Sequence, residues 1–111
     1  MLLLTAAMAF AAPYRIAIVQ PMNHTSLNQI RDTIVSELNA SGRDIEILLG
    51  NANGDTASLA TILSNYRAEG IDMVIPIATS TAQSAKTVFD DDETPIVFAA
   101  VADPVAAGMT G

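Results

Sequence analysis

Four short apolar runs, separated by stretches long enough for a helix, set what this chain can fold into. They are residues 15–20 (RIAIVQ), 44–49 (DIEILL), 73–77 (MVIPI) and 96–100 (IVFAA). Short runs rich in β-branched residues read as strands. Strands joined by helical crossovers lie parallel, and such crossovers are right-handed. The order β-α-β-α-β-α-β therefore predicts an α/β fold built on an open parallel sheet. The second run alternates Ile45, Ile47 and Leu49 with Glu46 and Leu48, which places it nearer a sheet edge. Pro76 is discordant in the third run, because proline removes one ladder donor; it lies close enough to the strand's end for the strand to survive.

The intervening segments carry helical patterning. Leu27, Ile30, Ile34, Val35 and Leu38 recur at spacings of three and four, as do Leu59, Ile62, Leu63 and Tyr66. Ser26-x-x-Gln29 and Ser80-x-x-Gln83 match the capping box, and Asp55 is a candidate cap for the middle helix. Gly42 and Gly70 stand where left-handed residues end helices. The third helix is expected over residues 81–89, with Ala82, Ala85, Val88 and Phe89 inward. The acidic run 90–93 then falls in a solvated loop. A metal site there is disfavoured, since consecutive carboxylates cannot all turn to one ion.

In open parallel sheets ligands sit beyond the carboxyl ends of the strands, where the strand order reverses. Residues 20–25, 51–54, 78–81 and 100–103 meet that description and carry amides, hydroxyls and one carboxylate. Residues 72–83 (DMVIPIATSTAQ) are the most informative stretch: a buried strand, a hydroxyl-rich turn, then a helix start. Free N–H groups and the positive end of a helix dipole suit a carboxylate. The same hydroxyls are equally explained as structural caps. No acid–base pair, activated nucleophile or metal cluster is apparent.

Composition narrows the function further. The 111 residues hold one domain at most, and half are hydrophobic. The net charge is −7, with five scattered basic residues, so nucleic acid and anionic membrane surfaces are poor partners. The absence of Cys excludes disulfides, thiolate metal sites and a lipid-anchored Cys, and a single His excludes a His-rich metal site. Residues 1–11 (MLLLTAAMAFA) read as a secretory leader with small-x-small cleavage at Ala9-Phe10-Ala11, though no basic residue opens them; a buried extra segment is the alternative. They are too short to span a bilayer.

The strand RIAIVQ with a His-containing turn, then NANGD, DMVIPIATSTAQ and PIVFAAVADPVAAG, together resemble the ABC-transporter substrate-binding proteins of the tryptophan/tyrosine-type uptake group. The resemblance covers residues 14–111. It implies a type I periplasmic-binding fold, of which residues 12–111 would be an incomplete N-terminal, flavodoxin-like, three-layer αβα lobe. It also implies an exported, periplasmic, non-catalytic receptor that captures a small amino-acid-like carboxylate, aromatic in this group. That receptor would pass its ligand to a membrane permease, with no cofactor and no membrane insertion of its own once the leader is removed. On this sequence, Thr79, Ser80 and Thr81 would hold the ligand carboxylate. Asp103 would face its ammonium group, and Gln20, Asn23 and His24 would lie along its flank.

Other functions fit less well. A receiver-type regulatory domain needs acidic residues after the first strand, where Gln20-Pro21 stand. A flavodoxin-like redox protein needs a phosphate cradle there. A truncated half-lobe without transport activity remains the alternative, because a missing remainder would leave a strand edge and apolar surface uncovered.

Overall fold

The computed structural model describes residues 13–99. The expected leader, Asp103 and the end of the fourth run lie outside the described residues. Six elements follow one another: β1 (Tyr14–Gln20), α1 (Thr25–Ala40), β2 (Ile45–Asn51), α2 (Ala57–Glu69), β3 (Met73–Pro76) and α3 (Thr79–Val88). The three strands form a parallel sheet in the order β2-β1-β3. The crossover from β1 to β2 runs one way and the return to β3 the other. The switch in strand order therefore lies between β1 and β3.

The side-chain alternation of β1 and β3 divides the core. Ala17, Val19 and Val74 face α2 and α3, packing with Leu59, Leu63, Ala85 and Phe89. Ile16, Ile18, Ile75 and Ile77 face α1 and meet Leu27, Ile30, Ile34, Val35 and Leu38. The helix faces legible in the sequence are thus the faces that pack. Ile16 through Gln20 are all buried, as the central strand of a three-layer fold requires. β2 is the edge strand, with Leu49 56% exposed. At Gly50 a Cβ would come within 3.0 Å of Ile62 Cγ2, so the glycine lets α2 lie close over β2. At the amino ends of the strands, Arg15 ties the layers together. Its guanidinium donates to Glu46 and to both the carboxylate and the carbonyl of Glu69.

Helix starts differ from expectation. Neither capping box forms as read. α1 begins at Thr25, and its cap is His24, whose Nδ1 accepts from the Ser26 N–H at 3.2 Å. Ser26 itself is already helical. α3 begins at Thr79, two residues early, and its cap position is Ala78, which has no side chain with which to cap. Both serines lie past the point where the chain turns into the helix, so their hydroxyls cannot reach forward as cap acceptors. Asp55 does act as expected, from one position further out: its carboxylate accepts from the Ala57 N–H and the Ser58 hydroxyl. Gly42 and Gly70 are left-handed, at φ 75° and 72°.

Pro76 closes β3, and its missing donor falls on one side only. Toward β1 the ladder continues, with Ile77 N–H donating to Val19 at 2.8 Å. Toward the fourth run, Val74 and Ala78 donate to Pro95 and Ala99, while residue 76 has no N–H for the rung between them. Among the described residues the fourth run therefore pairs as two separated bridges, Val74 to Ile96 and Ile77 to Ala99, instead of a continuous strand. The acidic run is a turn after α3. Asp92 accepts from the Thr94 N–H and hydroxyl and pairs with Arg67 at 3.3 Å.

Candidate functional site at the carboxyl edge of the sheet

The described carboxyl ends of β1, β2 and β3 bring Gln20, Asn51 and Ala78 to one edge, as a parallel sheet must. Two of the three loops there are joined. The Ala52 N–H donates to the Gln20 carbonyl at 3.1 Å and the Gly54 N–H to the Pro21 carbonyl at 2.9 Å. Side chains reinforce the joint: Asn51 Nδ2 donates to Asn23 Oδ1 at 2.9 Å, and Asn51 Oδ1 accepts from the Asn53 N–H at 2.7 Å. The second contact is an Asx turn, and it holds Asn53 at φ 54°, a conformation Asn tolerates.

Gln20 is 2% exposed and lies beneath this joint. Its Nε2 donates to the Met22 carbonyl and to Asn28 Oδ1, both at 2.8 Å, and its Oε1 accepts from Arg31 Nη1 at 3.2 Å. Asn23 is exposed and engaged with Asn51; His24 is exposed and caps α1. The residues flanking the expected ligand are therefore brought together, with Gln20 beneath the surface formed by the others.

The third loop is built differently. Ala78 has φ 79° and ψ 156°, a region that glycine occupies and alanine rarely does. Its N–H donates to the Ala99 carbonyl, so strand-like pairing persists to the residue before the helix. The chain then drops directly into α3. Thr79 is half-buried, Ser80 exposed and Thr81 fully buried, with Thr81 Oγ1 lacking a hydrogen-bond partner among the described residues. The first turn of α3 contains no acidic residue, and the cap position supplies no side-chain acceptor. A ten-residue helix places partial positive charge at this turn. Ser80 also borders a groove of about 420 Å³ between α2 and α3, with Thr56, Ala60 and Gln83. Two titrating groups among the described residues are clearly shifted. Burial, with help from Glu69, raises Tyr66; the Thr94 hydroxyl, then its N–H, then Arg67 lower Asp92. Among the described residues, no group of three or more His, Cys, Asp or Glu side chains is placed to hold a metal ion.

Sequence reasoning missed Ala78, the Asn51 joint and the hub role of Gln20. Ala78 gave no signal, since alanine does not advertise a positive φ. Gln20 did: a polar residue directly after the apolar run Ile16–Val19, with Asn28 and Arg31 one helical turn apart on the facing helix.

Comparison with known proteins agrees with this architecture. The chain matches the family described as ABC transporter substrate binding protein over residues 15–111. It is 34% identical over 98 residues to an uncharacterised protein of Rickettsia prowazekii, covering 88% of this chain and 31% of that protein. It is 32% identical over 98 residues to a tyrosine-binding protein of Clostridioides difficile, covering 85% and 28%. Its fold is similar to that of a Streptococcus pneumoniae ABC domain solved in complex with L-Trp, with a TM-score of 0.79, 31% identity, and coverage of 86% of this chain and 32% of that one. The flavodoxin-like αβα lobe of a substrate-binding protein is thus the class that fold and comparison define. The chain belongs to the ABC transporter substrate-binding protein family. It spans about a third of the length of the relatives it matches. That family is one of binding proteins and not a class of enzymes. Among the described residues no helix is long and apolar enough to cross a membrane.

Proposed function

We propose that this chain belongs to the N-terminal lobe of an exported solute receptor that captures a small amino-acid-like ligand, aromatic in side chain, and delivers it to a membrane permease. The observation that carries the reading is the start of α3. An uncapped, dipole-bearing helix turn with three successive hydroxyl residues lies beside the strand-order switch. A carboxylate at this turn would accept from helix N–H groups and from the Thr79 and Ser80 hydroxyls, gaining charge-assisted bonds in a site from which lobe closure excludes water. The relatives' association with tyrosine and L-Trp supports an aromatic amino acid as the ligand. Asp103 would receive the ligand ammonium group, with Asn23 and His24 along its flank. Residues 1–11 would be the leader removed on export to the periplasm, and residues 12–111 would be part of the lobe.

The test is calorimetry with L-tryptophan and L-tyrosine on the complete receptor, wild type against a Thr79→Ala, Ser80→Ala double variant. Hydrogen bonds to a charged group contribute about 1.5–3 kcal/mol each, so the double variant, which removes two, is expected to lose at least about a hundredfold in affinity. Unchanged affinity would remove the carboxylate from this turn.

A further inference from the structure

We propose that Gln20 is a positioning residue for the ligand-facing rim, acting through the loops after β1 and β2 and not by touching ligand. The proposal rests on the binding role assigned to this edge. Gln20 is 2% exposed, and both N–H groups of its carboxamide are in use, on Met22 and Asn28, while its carbonyl oxygen receives Arg31. Nothing remains of its donor capacity for a ligand. What it offers instead is rigidity. The bond to the Met22 carbonyl fixes the peptide that leads into Asn23. Asn23 then meets Asn51, and Asn51 holds the Asn53 N–H. Four residues on two loops are thereby linked to the buried end of the central strand. Arg31, which is itself largely covered and paired with Asp32, anchors the far side of the carboxamide to α1.

A buried polar network of this kind holds one geometry while every member is satisfied, and loses it when one is removed. The rim is therefore set before ligand arrives. The third loop is set separately, by the Ala78–Ala99 bond. Gln20 consequently couples the first two loops to each other and leaves the third unaffected.

Amide hydrogen exchange followed by NMR on the whole chain tests this. In Gln20→Ala, protection of the Asn53 and Gly54 amides is expected to fall about tenfold, the effect of removing one hydrogen bond's support from a local structure, while the Ile77 amide is unchanged. Those two amides belong to the loop that Gln20's side chain does not touch. L-tryptophan affinity should fall with them, and the fall should be absent when Gln20→Ala is made in an Asn51→Ala background, since both act on one joint. Unchanged exchange at Asn53 and Gly54 overturns the proposal. So does lost affinity with unchanged exchange, which would make Gln20 a direct contact. If the wild type fails to bind L-tryptophan while the exchange effect appears, the binding role falls and the rim coupling stands. Should Gln20→Ala not fold, Asn28→Ala removes one tether only; a smaller loss at the same two amides is then expected, and none would refute the coupling.

Discussion

Replacing Ala78 by glycine should make this protein more stable, although the same change almost anywhere else in a helical segment would weaken it. Ala78 holds φ 79° and ψ 156° because two demands meet there. Its N–H completes a bridge to Ala99, and the next residue must already be helical. A side chain in that region costs about 1–3 kcal/mol. Glycine removes the cost, while its freer unfolded chain subtracts about 0.4–1 kcal/mol. The difference leaves a gain of about 1 kcal/mol, or about 4–8 °C in melting temperature for a chain of this size. Equilibrium unfolding in urea measures it, provided the slope against denaturant is unchanged. Ala60→Gly is the control: that residue is exposed within α2 at ordinary helical geometry and should lose about 0.5–1 kcal/mol. A midpoint for Ala78→Gly equal to or below wild type would show that the turn stores no strain.

Two further outcomes follow from named groups. Thr81 is wholly buried, with its hydroxyl unpaired among the described residues, and such a group costs about 1–3 kcal/mol. Thr81→Val should therefore raise stability by about 1 kcal/mol in thermal unfolding without ligand, and a lower melting point would refute the orphaned hydroxyl; reduced affinity in the same variant would mean that ligand supplies the missing partner. Asp92 is held below the ordinary carboxylate range by the Thr94 hydroxyl, then its N–H, then Arg67, so its contribution is present at neutral pH and lost as pH falls through the lowered folded value. The stability gap between wild type and Asp92→Asn should be constant near neutrality, narrow below about pH 4 and close in stronger acid; a gap that persists unchanged there would contradict the assignment.

Periodicity made most of the fold legible. The inward faces of α1 and α2, the edge position of β2 and the glycine stops at Gly42 and Gly70 all follow from spacing and residue type, because burial acts on every residue of an element at once. Boundaries follow a different physics. The two Ser-x-x-Gln motifs state that a hydroxyl is available, but a helix starts where the preceding strand releases the chain. For α3 that point is set by Ala99, which is 21 residues away and takes the Ala78 N–H. Pro76 shows the same asymmetry. Its missing donor was visible, yet which neighbour lost a rung depended on which side of β3 that position faces, and the loss fell on the fourth run. The candidate site repeats the pattern. Residue types at the strand ends announced amides and hydroxyls, while their roles depend on partners distant in sequence: Asn23 with Asn51, and Gln20 with Asn28 and Arg31. A polar side chain that ends a buried strand must be satisfied where it stands. When the facing helix supplies enough partners, as α1 does for Gln20, burial and ligand contact become competing uses of one carboxamide, and the hydrogen bonds already made decide between them.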